Sequence, residues 1–360
     1  MRPQVGKRGM YAARLPASST ASHPLFRESL RCIAIEKMRR LFETSKQRDR
    51  TAMMKLSTHI TFLFVTLISA ASATDFPDKN SAAWQRLFAV DPVSSRLEVL
   101  PVSKPANAIT YDVTLKGEIA GFDVGRVFLN TQSGPKGYAV DYRMEQRGIA
   151  RWFSDAEARS HARGTFRDGE IDGHYYFNHD YERDDDQQYV QLYRAPQGRR
   201  IRLWTEPAYD FYEPVPEELA LGAVDPMAAL IALGFLDEGD GKSPCDRTVE
   251  VFDGRRRFDL VMFDDGTEDV RKGGKGRFSG FTHKCKLTQV KVAGYREKDK
   301  GDIDGDLWVY LAPVPGAVRT KTFSYVPVMI VAKRGIISAR LEGKYPTITM
   351  PSGRKIEMWD

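Results

Sequence analysis

Cysteine is scarce in this 360-residue chain, with three residues in all, Cys32, Cys245 and Cys285, and histidine is nearly as rare with six. No C-x-x-C pair occurs, so a zinc site is not expected. Also missing are a G-x-S-x-G elbow, a P-loop and a dinucleotide fingerprint. Helical periodicity is sparse, and there is no internal repeat of fixed period and no low-complexity tract. No catalytic residue and no cofactor is expected on these grounds.

Long apolar runs are also lacking, with one exception. From Met53 to Thr74 the chain reads MMKLSTHITFLFVTLISAASAT, with Lys55 as a basic start, Ile60 to Ser69 as an apolar centre and Ala71-Ser72-Ala73 as an A-x-A site. That is the layout of a secretory signal cleaved between Ala73 and Thr74. The apolar centre falls short of the roughly 20 residues a spanning helix requires. Position 74 is threonine, so the cysteine of a lipid-anchored product is absent and the mature protein is expected to be soluble. More than fifty residues precede the signal, and they are basic and poor in acids. The expectation is that translation starts at Met53 or Met54 and that residues 1–52 are an upstream leader. A transit peptide is the competing reading.

Cutting there changes the charge balance. Residues 1–73 hold 13 Lys and Arg against 4 Asp and Glu, which leaves 41 basic and 44 acidic side chains in residues 74–360. The formal net charge of +6 therefore belongs to the leader, and the mildly acidic remainder does not suggest nucleic acid as a partner. Two of the three cysteines survive the cut, in a compartment where disulfides persist, so a Cys245–Cys285 bond is expected. Closing a loop of that length would contribute about 4 kcal/mol in the chain-entropy model.

The mature segment reads as strands. After a short helix near Trp84 and Phe88 and a linker ending near Ala106, alternation begins at Tyr111, Val113 and Leu115 and recurs at Tyr138, Val140, Tyr142 and Met144. Asp253-Gly254 separates two strand-like runs and is the strongest hairpin signal in the chain. Further turns are expected at Asp264-Asp265-Gly266 and at Lys333-Arg334-Gly335, with a mobile basic loop over Arg271 to Arg277 and short closing strands at Ile348 and Ile356. One helix stands out, at about residues 225–236: Asp225 is a cap, Pro226 sits at the first helical position, and Met227 to Leu233 are apolar on every side. Such a helix is buried. The fold class expected is mainly β: a strongly curved antiparallel sheet or incomplete barrel around that helix, occupying residues 108–360 as one domain, with 74–107 as helix and linker.

Candidate chemistry is thin. His174 and His179 lie five residues apart on a strand and should not converge, so they read as solvated residues. Asp302, Asp304 and Asp306 lack the spacing of a calcium loop and read as a polar turn. Arg255-Arg256-Arg257 is the more pointed feature. Strand alternation places Arg255 and Arg257 on one face and Arg256 with Phe258 and Leu260 on the other. An arginine on an apolar face requires a carboxylate or an anionic ligand. The plainer alternative is an arginine at the sheet rim with its head in water. These three are the candidate ligand or ion-pair residues.

The residues Asp225-Pro226-Met227-Ala228-Ala229-Leu230, Cys245-Asp246-Arg247, Val251 to Leu260 and Cys285 together resemble the exported proteins of Gram-negative bacteria grouped as domain-of-unknown-function family 3108. Tyr111-Asp112-Val113 with Gly117, Gly121 and Gly125 fits the family's opening strands. The resemblance implies a β-rich fold and a periplasmic or envelope location, and it carries no catalytic residues. The function expected is a non-enzymatic periplasmic protein that binds an envelope component or a protein partner and supports envelope integrity. The alternative is a periplasmic hydrolase of glycan or peptide with two paired carboxylates.

Overall fold

A computed structural model describes residues 90–92, 105–152, 156–167, 170–181, 187–194, 201–206, 215–237, 239, 242–271, 273–295 and 305–359. They fall in one compact unit, Leu56–Asp360. The residues of the short helix near Trp84, the Ala73–Thr74 cleavage site and Asp302 and Asp304 lie outside the described residues.

Alternating apolar residues form strands in the order β1 (Val90–Pro92), β2 (Ile109–Ile119), β3 (Phe122–Ser133), β4 (Gly137–Gln146), β5 (Glu157–Arg167), β6 (Glu170–Tyr181), β7 (Gln187–Arg194) and β8 (Ile201–Glu206). Two helices follow, α1 (Glu217–Gly222) and α2 (Pro226–Gly234). The strands resume as β9 (Arg247–Phe252), β10 (Arg257–Val270), β11 (Gly280–Ala293), β12 (Asp306–Pro313), β13 (Tyr325–Arg334), β14 (Ile337–Thr349) and β15 (Lys355–Glu357). One sheet joins them in the spatial order β1-β8-β7-β6-β5-β4-β3-β2-β14-β13-β12-β11-β10-β9, with β15 added to β14. The β1–β8 pair is parallel; the other strand pairs are antiparallel.

The sheet does not close, yet it is bent enough for its two ends to meet. Gly254, in the β9–β10 turn, lies so close to Val190 of β7 and Leu203 of β8 that a Cβ on it would come within 2.6 Å of the Val190 side chain. Its φ of 92° also favours glycine. Inside the curve sits α2, apolar all round, with Met227, Ala228, Ile231 and Leu233 buried. The Asp225 carboxylate accepts from the backbone N–H of Met227 and Ala228, both at 2.9 Å, which starts the helix where capping rules put it. Its far end is held by Arg247, which donates to the carbonyls of Ala232 and Leu236. Arg194 treats α1 the same way, donating to Ala220 and Leu221. Around α2 the sheet's inner face contributes Tyr111, Val113, Leu129, Tyr142, Ala158, Tyr176, Leu192 and Leu203. The mainly β architecture with one buried helix is therefore as expected.

Several local expectations need correcting. Asp264-Asp265-Gly266 does not reverse the chain; β10 continues to Val270 through a register shift between Asp264 and Thr267, with the Asp264 carboxylate accepting from Gly266 N–H at 2.7 Å. The reversal comes later, in residues 271–279, and Arg277 there is tied to Glu342 and Glu118. Ile348 is not on a separate strand but on β14, beyond a bulge between Lys344 and Thr347. Val90–Pro92 pairs with Ile201–Leu203, so Asp91-Pro92 lies in a strand.

Candidate functional site

Among the described residues a shallow groove of about 480 Å³ lies on the outer face of β2–β5, bounded by the β14 bulge. Strand register builds it. Asp112 pairs with Asn130, Asn130 with Asp141, and Asp141 with His161, so four polar side chains from four successive strands lie in one row. The adjoining row runs Lys344, Thr114, Phe128, Arg143 and Arg159. Two short contacts lock the first row: Asn130 Nδ2 donates to Asp112 Oδ1 at 2.5 Å, and His161 Nδ1 lies 2.5 Å from Asp141 Oδ1. His161 also stacks on Phe177. In the second row Arg143 lies over the Phe128 ring, 5.6 Å from its centroid, and pairs with Glu145 at 2.9 Å. Burial, reinforced by the charge of Arg277, holds the Lys344 amine below its usual range.

Tyr345 closes one end of the groove and is 52% exposed. Its φ is 53°, the left-handed region that a bulky residue enters at a cost of about 1–3 kcal/mol. Three contacts hold it there. Its N–H donates to Gly276 O at 2.7 Å, its ring fits against Gly276 where a Cβ would come within 2.3 Å, and Trp359 meets it edge-on at 5.2 Å.

The arginines singled out in the sequence are placed differently from the alternation argument. The Asp253 carboxylate accepts from the N–H of Arg255 and Arg256, at 2.9 and 2.7 Å, so both residues belong to the turn and β10 begins at Arg257. Arg255 is 2% exposed, not a rim residue; it crosses to β7 and donates to Gln188 Oε1 at 2.7 Å and to Tyr189 O at 3.1 Å. Arg256 pairs with Asp253, and Arg257 with Glu250 and Asp259. The three guanidinium groups thus bind the protein itself and join no groove residue in these contacts. Cys245 and Cys285 are bonded, tying the segment before β9 to the middle of β11. His174 lies 3.1 Å from Thr165 Oγ1, while His179 stacks on Tyr189, so the two do not share a contact. Among the described residues no group of three or more His, Cys, Asp or Glu is arranged to hold a metal ion.

Comparison with known families adds one result. The model of the family described as "Protein of unknown function (DUF3108)" matches residues 110–342, well over half of the chain. The chain belongs to this family. That range takes in β2, the groove strands, α2 and the disulfide, and it ends just short of Tyr345. A search of the curated proteins returns no match. Among solved structures, a beta-barrel-like protein of domain of unknown function DUF1849 from Brucella abortus is 10% identical, with a TM-score of 0.38, over 67% of this chain and 97% of that one.

In this DUF3108 chain α2 and the inward side chains of the strands pack together within the curve. Beside Gly117 and Gly125 lies a small, partly open pocket of about 40 Å³, room for about one water molecule. The buried hydroxyls of Tyr138, Tyr142 and Tyr176 have pKa values pushed well up by desolvation, so they stay neutral. Burial also raises the Asp225 carboxyl, to about 6, against the opposing pull of its helix N–H groups and Arg194. That carboxylate caps a helix and does not face a cleft. Tyr345 and the outer rows were not visible to sequence reasoning, which treated the outward positions of β2–β5 as plain solvent-facing alternation. The one available signal was Tyr345-Pro346 interrupting an alternating run.

Proposed function

We propose that this DUF3108 protein is exported and works in the periplasm as a non-enzymatic binding protein of the cell envelope, holding its ligand or partner in the outer groove and so supporting envelope integrity. Export is supported by the Met53–Thr74 stretch and by a disulfide, a bond that persists in oxidising compartments. Once its signal is removed the protein is soluble; among the described residues no helix is long and apolar enough to cross a membrane, a statement that leaves strands aside.

One observation carries the binding reading: an exposed aromatic ring is held in a strained backbone conformation at the mouth of a polar groove. Strain of this kind persists only where surrounding contacts enforce it, and it concentrates at ligand clamps. Among the described residues α2 occupies the curve of the sheet, which favours the outer face for a ligand. Cell fractionation with N-terminal sequencing tests export, and a mature chain beginning at Thr74 is the expected result. Native mass spectrometry of gently purified protein tests binding, with an adduct expected for the native chain and lost in Tyr345→Gly.

The alternative reading, a hydrolase of glycan or peptide, draws on the Asp141–His161 pair, a carboxylate orienting an imidazole in the same groove. Turnover of an envelope glycan or peptide by the purified protein, abolished in His161→Ala, would replace binding by catalysis.

A further inference from the structure

Resting on the reading of the groove as a binding site, we infer that its ligand is an acidic oligosaccharide, a short glycan carrying carboxylate or phosphate groups. Asp112 and Asp141 are acceptors: Asp112 takes a short contact from Asn130, and Asp141 takes one from His161. An ionised carboxylate has about four lone-pair sites. Acceptors remain on Asp112 for donors from outside, and sugar hydroxyls are donors.

The neighbouring row offers the opposite. Arg143 and Arg159 are 48% and 53% exposed, and their carboxylate partners Glu145 and Glu157 sit to one side at 2.9 and 3.7 Å. A guanidinium has five N–H donors in a fork suited to carboxylate and phosphate, so one such pairing leaves capacity for a second anion.

The two rows run parallel across β2–β5 with an inter-strand step of about 4.8 Å. A ligand lying across the strands therefore meets hydroxyl acceptors along one edge and anion donors along the other. A neutral glycan satisfies only the Asp112–Asp141 row. A nucleic-acid backbone or other dense polyanion satisfies the arginines but is repelled by the aspartates. A glycan bearing spaced negative groups satisfies both. The exposed Tyr345 ring supplies what a sugar also needs, a flat apolar face against which its C–H side can lie.

Calorimetric titration of the full-length protein with four probes of equal length tests this: a uronic-acid hexasaccharide, a phosphorylated hexasaccharide, a neutral hexasaccharide and hexaglutamate. The expected result is binding of one or both acidic glycans, at least about tenfold tighter than the neutral one, consistent with one or two charge-assisted hydrogen bonds. Which of the two acidic probes binds more tightly identifies carboxylate or phosphate as the natural group. Arg143→Gln with Arg159→Gln should erase the preference for acidic over neutral glycan. Tyr345→Gly should weaken all sugar binding about tenfold while leaving the circular dichroism spectrum intact and the melting temperature no lower, which separates lost contact from lost fold. Equal or tighter binding of hexaglutamate overturns the inference in favour of an acidic peptide. If no probe binds yet the native adduct is lost in Tyr345→Gly, the glycan assignment fails and the groove remains the site. If the adduct is unchanged in Tyr345→Gly, the groove reading itself fails.

Discussion

Strands β2–β5 present two faces that handle polar groups in opposite ways. Inward, Tyr111, Val113, Leu129 and Tyr142 are buried against α2, and the charged groups near them are consumed by the fold: Asp225 by helix N–H groups, Arg194 and Arg247 by helix carbonyls, Arg255 by β7. Outward, the intervening residues pair with each other at the groove, Asn130 with Asp112 and His161 with Asp141. An unpaired polar group costs far more inside than outside, so the inner ones act as fasteners. The outer ones are under no such demand. That is where selection for a ligand has freedom to act.

The difference predicts a graded series of mutational effects. Replacing Cys245 and Cys285 together by serine should cost about 4 kcal/mol, by the loop-closure argument, seen as a lower midpoint in urea. Arg255→Ala should cost about 3 kcal/mol, because Gln188 and Tyr189 lose their partner inside the fold. Arg255→Lys should not rescue it, since an ammonium does not reproduce the planar fork that meets both acceptors.

Asp225 adds a pH signature. Its folded pKa is raised to about 6, above the value of about 3.9 in an unfolded chain. Between these values the native state binds the extra proton, so its contribution to stability is full below about pH 4 and is lost as pH rises through about 6. Asp225→Asn keeps a capping oxygen and has no proton to lose. It should therefore be more stable than the native chain by about 3 kcal/mol at pH 7, with the gap closing towards pH 4. Thermal melts at the two pH values check this; an equal gap at both would place the ionised carboxylate in a more favourable site than its burial implies.

On the outer face the effects should be small or reversed. Tyr345→Gly should leave stability unchanged or raise it by about 1 kcal/mol, because glycine enters positive φ without strain. Asp141→Asn, at a half-exposed pair, should stay within about 0.5 kcal/mol of the native chain in denaturant. A loss from Asp141→Asn as large as that from Arg255→Ala would break the distinction between the two faces.

Much of the interior was legible in the sequence. The cap Asp225 with Pro226 and the all-apolar Met227–Leu233 gave α2 and its burial, and alternation gave the middle of β2 and β4 nearly to its ends. The misplacements share a cause. Asp253 and Asp264 accept backbone N–H bonds from residues just ahead of them, and such local bonds turn the chain in one case and only bulge it in the other. Which outcome follows depends on neighbours distant in sequence: Val190 and Leu203 crowd Gly254, while β11 keeps pairing beyond Gly266. Arg255 could not be read as a fastener because Gln188 lies 67 residues away.

The sequence by itself determined the strand faces, the buried helix and the cysteine pair, because each follows from periodicity or capping within a short window or from the count of one residue type. Only the tertiary structure decided what the outward residues do. A row such as Asp112, Asn130, Asp141 and His161 exists because four strands stand in one register. Tyr345 stands at the end of the groove because a loop near residue 276 and the ring of Trp359 hold it in a conformation its own backbone disfavours. Local propensity is set by neighbours in the chain, whereas a site is set by neighbours in space.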